Sequence, residues 1–401
     1  MSQFFMMGVV TASFVSRVPS VTEALHVTTG RYAVLMLTGA IGAFVALMLT
    51  GWAVARFGTK TVMVWSLVGY SVAFAAATWA IAIPSQLLFT AAQFFISFSF
   101  AFTNVSINAE AAAVEREVGK AILPHFHASF SVGMALALGL GALISHLGVG
   151  PVMHLAVMTV IALAIRLALV NPAIMDGAPT GTSHGGWGGP FRTARAEYRE
   201  RRVILLGLIL FAASTIEGAA STWSSLAVVQ AFAAPEAVGD VFYWIFLVAM
   251  VTSRGLGSQI IGRLGRVMSL RVSAALVLVG VLAFALGPTY PYLALGMILW
   301  GLGAGLGVPI GFSAASDDPQ RAAARVAAVT SFSTIAGLVM PQVIGHLGDV
   351  IELRQALMVA CGAAVLSFLL ARAVRSEGPL LRSHRALARR AAREEETGSH
   401  L

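Results

Sequence analysis

Long apolar runs broken by short polar turns constrain this chain more than any other feature. Twelve stretches are mainly apolar: 2–21, 32–55, 61–83, 86–110, 124–147, 150–170, 203–229, 238–262, 269–288, 290–314, 323–347 and 353–374. About 20 such residues in a helix cross the hydrocarbon core of a bilayer. The runs are rich in Leu, Ala and Gly and do not alternate, which argues against strands. Without water in the bilayer, each segment must satisfy its own backbone, and a helix does so. Only 11% of the residues are charged and 58% are hydrophobic, whereas a soluble domain carries about 25% charge. The predicted fold class is an all-α integral membrane protein with twelve transmembrane helices.

The loops set an orientation. If the N-terminus lies inside, 21 of the 26 lysines and arginines fall in inner loops and the tail, and only Arg31 and Arg354 fall in outer loops. This bias predicts a multi-pass protein of the cell inner membrane with both termini cytoplasmic. It also accounts for the formal charge of +8. No basic stripe with interleaved aromatics lies outside the apolar runs, so nucleic acid is excluded as a partner and membrane lipids are expected. The opening residues, MSQFFMMGVV, have no basic n-region and no cleavage site follows, so no signal peptide is expected. Cys361 is the single cysteine, which excludes an intrachain disulfide and a cysteine zinc cluster.

A central loop divides the helices six and six. The expected units are a bundle over 1–170, a cytoplasmic linker over 171–202, a second bundle over 203–374 and a basic tail over 375–401. The linker begins with the glycine-rich GAPTGTSHGGWGGP, a flexible composition. It ends with FRTARAEYRERR, read either as a surface helix on acidic lipid or as a solvated connector. Arg56-Phe57-Gly58 follows the second run and Arg263-Leu264-Gly265 follows the eighth, 207 residues later. Parallel half-repeats of this kind predict two pseudo-symmetric bundles.

Glu217 lies deep in the seventh run, with Ser214, Ser221, Ser224 and Ser225 on the same helical face. A carboxylate at that depth costs roughly 2.5–3.5 kcal/mol, so it faces protein or a wet cavity. Arg254 on the next run is its obvious partner. At ~1.5 Å per residue, Glu217 lies about 21 Å and Arg254 about 13 Å from the inner ends of their helices, a gap a long arginine narrows. Three readings of Glu217 stand beside each other: a proton-binding site, a permanent structural or gating ion pair, and a direct solute contact without protonation. On the fourth run Gln93, Ser97, Asn104 and Asn108 share a face, and on the first Ser13, Ser16 and Arg17 cluster at the outer end. Interhelical hydrogen bonding is the competing account of such residues. Arg166 is expected to snorkel to the interface, and His154 and His346 to bond there. Trp223 is read as a stacking platform or an interfacial anchor. His125 and His127 are two apart, off a common helical face, so no metal site is expected.

Several chemistries are excluded. Gly301-Leu-Gly303-Ala-Gly305-Leu-Gly307-Val-Pro309 has no following Lys-Ser/Thr and sits in apolar helix, so it is no phosphate loop. Close helix packing and a hinge at Pro309 are expected instead. No Walker, Ser-His-Asp or Cys-His pattern is present. The chain is read as a non-enzyme without a cofactor.

Gly51-Trp-Ala-Val-Ala55-Arg56-Phe-Gly58-Thr-Lys60 resembles the loop signature of the major facilitator superfamily, G-x-x-x-D-R-x-G-R-[RK]. Ala55 replaces the acid and Thr59 an arginine, which puts the family's inner latch in doubt; the copy Gly257–Arg266 also lacks the acid. Asn104-Val-Ser-Ile-Asn108-Ala-Glu110, His127-Ala-Ser-Phe-Ser-Val-Gly133 and Glu217-Gly-Ala-Ala-Ser-Thr-Trp223 are similar to a bacterial branch of fucose-permease-like transporters.

The resemblance implies a secondary active transporter that moves a small polar solute, a sugar or related metabolite, by alternating access. Proton symport is expected, with sodium as the alternative ion. Helices one, four, seven and ten would line the cavity, although helix ten offers mainly Trp300, glycines and Ser313. Solute contacts fall on Asn104, Asn108, Glu217, Ser221, Trp223, Gln93 and Gln342. Coupling or gating falls on Glu217, Arg254, Arg17 and His127, and the moving loops on Gly51, Arg56, Gly58, Lys60, Arg263 and Gly265. A monomer is expected, since one chain holds a whole pathway. Two alternatives stand: a proton-driven exporter of drugs or metabolites, and a membrane sensor that binds without transport. Gly133, Gly139 and Gly141 lack the proline of an exporter's G-x-x-x-G-P signature.

Overall fold

The computed structural model describes residues 1–118, 123–171, 197–318 and 320–376. Among them every regular element is helical. The first half contains α1 (Ser2–Val15), α2 (Val18–Ala24), α3 (Thr29–Phe57), α4 (Thr59–Ala82), α5 (Gln86–Val118), α6 (Leu123–His146) and α7 (Pro151–Ala168). The second contains α8 (Arg201–Phe232), α9 (Glu236–Gly255), α10 (Gly257–Leu286), α11 (Tyr290–Ala315), α12 (Ala322–Gly348), α13 (Leu353–Ala356) and α14 (Val359–Leu370). Eleven spans are long and apolar enough to cross a membrane, and α1 with α2, bent by 45°, makes a twelfth. Most of the linker, Lys120 and the tail beyond residue 376 lie outside the described residues.

The bend in the first span follows from its sequence. Pro19 stands in the first turn of α2. Its nitrogen cannot donate to the carbonyl four residues back, so α1 ends at Val15 and a new helix starts beyond Arg17. Packing of this span depends on small residues. A Cβ on Gly8 would lie 2.1 Å from the Phe130 carbonyl oxygen, and one on Gly133 would lie 2.2 Å from that of Phe5. The two glycines let α1 and α6 touch backbone to backbone, as small residues do between membrane helices.

The half-repeat is visible in the backbone. Gly58 has φ 80° and ψ 153°, and Gly265 has φ 73° and ψ 162°. Only glycine readily adopts this region. Gly58 turns the chain from α3 into α4. Gly265 breaks α10 and makes the matching turn between the eighth and ninth spans. Nothing lies within 4 Å of a Cβ at either position, so the backbone angle and not space demands glycine.

The second copy lacks an acid in its own sequence, and the fold supplies one. Asp317, just past α11, accepts from Arg266 Nη1 at 2.7 Å and from Arg202 Nη2 at 2.8 Å. Burial pushes its carboxyl up, but the two guanidiniums outweigh that and hold it below its ordinary value. Nearby, Glu197 and Glu200 pair with Arg321 and Arg325 and fasten the end of the linker to α12. The helices also outrun their apolar stretches, most clearly α5, which continues to Val118. Hydropathy fades at the first charges, while backbone hydrogen bonds carry on.

Candidate solute cavity and its gates

A cavity of about 480 Å³ lies between the halves. Its apolar wall includes Phe14, Tyr32, Met36, Phe130 and Phe246. Its polar wall includes Thr11, His127, Ser131, Ser221 and Thr222. Glu217 and Arg254 complete the lining, and Arg254 Nη2 donates to Glu217 Oε2 at 2.6 Å. The Arg254 Nε also donates to the Gly305 carbonyl at 3.3 Å. The two side chains are 32% and 30% exposed although they lie within spans. Both side chains therefore face the open volume of the cavity.

Contacts between the halves cluster at the face opposite the two chain ends. Arg17, 2% exposed, donates to Glu236 Oε2 at 2.8 Å. Its other donors go to His154 Nδ1 at 2.8 Å and the Val149 carbonyl at 3.0 Å, both in its own half. Glu236 also accepts from the Ser20 amide at 3.0 Å, the Ser20 hydroxyl at 2.7 Å and the Ser145 hydroxyl at 3.2 Å. A second carboxylate repeats the device. Asp349 accepts from the Thr28 and Thr29 hydroxyls at 2.8 and 2.6 Å and from the Gly30 amide at 3.1 Å. Both acids come from the second half and seat on the starts of first-half helices, where free amides favour negative charge. Burial raises the Asp349 carboxyl, but these donors and nearby His346 bring it below its ordinary value. Beneath the clasps, Tyr32 meets Trp223 edge to face at 6.1 Å. Among the described residues, these ion-pair and hydrogen-bond clasps between the halves lie on the side of the cavity away from the chain ends, its far face.

The structure sorts the residues singled out in the sequence. Glu217, Ser221, Arg254 and His127 share the cavity. Gln93, Asn104 and Asn108 are not on its wall. Gln93 is buried and donates to Met36 Sδ at 3.2 Å, because α3 and α5 close on each other at Gly39 and Gly42. Asn108 turns back to the Asn104 carbonyl at 2.8 Å. Trp223 is neither an anchor nor a platform: it is fully buried, and its Nε1 meets no acceptor among the described residues. Gln342 donates to the Ala33 carbonyl at 2.7 Å and belongs to the far-face seam.

The serine stripe divides likewise. Ser214 bonds Ser333, and Ser225 donates to Asp240 at 3.0 Å. Arg166 does not snorkel; it is 4% exposed, and its Nε donates to Gln3 Oε1 at 3.2 Å. His154 is buried on Arg17 and is not interfacial. The cavity wall comes from α1 to α3, α6, α8 and α9, without α5 or α11. Glycines press α11 against its neighbours, as where Gly301 abuts the Phe246 carbonyl. That helix runs on through Pro309 without ending there.

Glu236, Asp240, Asp349 and Asp317 escaped the sequence reading. Three of them stand near helix ends, where an acid reads as an ordinary loop charge. Among the described residues no three His, Cys, Asp or Glu side chains form a group able to hold a metal.

The sequence profile of the Major Facilitator Superfamily matches residues 1–341. The chain belongs to this superfamily of membrane transporters and is not an enzyme. It is 28% identical over 353 residues to an uncharacterized transporter, y4wD, of Sinorhizobium fredii, covering 88% of this chain and 90% of that one. It is 25% identical over 372 residues to the membrane protein MosC of Rhizobium meliloti, covering 91% and 86%. In fold it is similar to the nucleoside transporter NupG, with a TM-score of 0.78 at 14% identity over 93% of this chain and 98% of that one. The Escherichia coli fucose:proton symporter FucP gives 0.64 at 16% identity, covering 94% and 97%. The all-α, twelve-span expectation is met.

Proposed function

We propose that this protein is a proton-coupled symporter of a small polar solute, a sugar or related metabolite. The observation that carries the reading is the Glu217–Arg254 pair in the wall of the cavity between the halves. While ionised, Glu217 occupies Arg254. A proton on Glu217 weakens that pair and frees guanidinium donors for a solute oxygen. Ser221 and Thr222 add hydroxyls beside it, and Tyr32, Phe14 and Phe246 offer apolar faces. A ring with polar edges and apolar faces suits such a site. If the face bearing the chain ends is cytoplasmic, as the loop charges imply, this is the inward-open state. Rocking the halves would break the Glu236 and Asp349 clasps and expose the cavity outside. The protein would act as a monomer in the inner membrane.

The test uses purified protein in liposomes loaded with a pH-sensitive dye, across a panel of sugars, sugar acids and nucleosides. One solute that alkalinises the outside supports symport and names its class. Silence across the panel, with ligand binding still seen as a thermal shift, overturns it in favour of sodium coupling or a sensor.

A further inference from the structure

Away from the central cavity, α3, α4 and α5 leave an apolar groove of about 700 Å³ on the outer wall of the bundle. Its sequence explains it. Gly69, Ala73, Ala76, Ala91 and Ala92 give a floor of small side chains, and Trp52, Phe57, Trp65 and Phe95 stand as walls. Its Ser66 hydroxyl is already bonded to Met63 and Thr103. An occupant therefore meets almost no polar atom. From Val62 to Ala76 the groove follows α4 for about 21 Å at ~1.5 Å per residue. That is more than one leaflet of a hydrocarbon core of about 30 Å.

One end of the groove is positively charged. The Arg56 guanidinium lies over the Phe57 ring, 5.6 Å from its centre, and Phe57 is a groove wall. Lys60 lies in the first turn of α4. Both are exposed, and neither has an ion-pair or hydrogen-bond partner among the described residues. No acid stands in the first turn of α4, and position 55, where the family pattern has one, is alanine. The α4 N-terminus has no side-chain cap, so its amides add to the positive end.

We propose that this groove binds an anionic glycerophospholipid from the leaflet at the chain-end face. One acyl chain lies on the glycine–alanine floor, and the headgroup phosphate sits between Arg56 and Lys60. The charge at one end and the length of the apolar floor together select an amphiphile with an acidic head. This site is independent of the transported solute.

The experiment titrates the purified full-length protein with phosphatidylglycerol or phosphatidylcholine of identical acyl chains and counts bound lipid by native mass spectrometry. Each basic residue near an anionic headgroup is worth about fivefold, so with two of them phosphatidylglycerol should bind about 25-fold tighter at its first site. Arg56→Gln with Lys60→Gln should erase that preference, so that the two lipids bind with equal affinity. Ala91→Trp, which fills the groove, should lower occupancy by both lipids. Equal affinities in the unmodified protein, or a preference that survives the double substitution, would overturn the proposal. So would loss of a dimer, instead of lipid, on Ala91→Trp.

Discussion

Replacing Glu236 by alanine should open the far face. Glu236 receives four donors: Arg17 Nη1, the Ser20 amide and hydroxyl, and the Ser145 hydroxyl. Arg17 is 2% exposed, and its remaining partners, His154 and the Val149 carbonyl, are held in its own half and carry no negative charge. The substitution leaves a buried guanidinium unpaired in the closed state, at a cost of about 3–5 kcal/mol. In the open state Arg17 reaches water and loses little. The equilibrium should therefore move toward the far-open state by roughly 150- to 5,000-fold. Spin labels at Arg31→Cys and Val350→Cys, in a Cys361→Ser background, flank the Asp349 clasp on opposite halves. Both positions are exposed. Electron–electron resonance should give one short distance in the parent and a dominant longer one in Glu236→Ala. An unchanged distance distribution would refute the reasoning, because the closed state would then not depend on this pair.

Other outcomes follow from the same geometry. Gly58→Ala and Gly265→Ala should each destabilise by about 1–3 kcal/mol through backbone strain alone, seen as lower Tm in detergent; an unchanged Tm would remove the argument. Asp349 has a depressed folded-state value, so its contribution is present above the unfolded carboxylate pKa and is lost as pH falls through the lower folded one. The same labels should thus report an intact clasp from pH 7 down to about 5, and loosening only below the usual carboxylate range. Asp317→Ala strips the common acceptor from Arg202 and Arg266. It should cost about 1.5–3 kcal/mol by thermal unfolding, and a neutral result would show that the loop copy needs no acid.

The twelve spans were legible because a bilayer imposes one length and one composition on every segment that crosses it. The Glu217–Arg254 contact was legible too, since helical rise placed two opposite charges within about 8 Å in depth on consecutive spans, a gap a long arginine side chain can close. Periodicity could not say which neighbour a polar face meets. Asn104 and Asn108 share a face, yet they satisfy each other along α5. Trp223 and Gln342 sit on suitable helices but pack into the seam between the halves. The acids of the clasps were hidden for a different reason. Glu236 and Asp349 act on partners 91 to 321 residues away in sequence, and no local spacing marks such a pair. Asp317 reaches Arg266 of the second loop copy from the end of another span, a contact in space that motif reading cannot see.

The central claim is that Glu217 carries the coupled proton while Arg254 waits for the solute. Glu217→Gln in proteoliposomes tests it most directly, with two rates measured on one preparation. The account predicts that accumulation driven by a proton gradient is abolished, while exchange of labelled for unlabelled solute continues. Accumulation at the parent rate in Glu217→Gln would contradict it and assign the proton elsewhere.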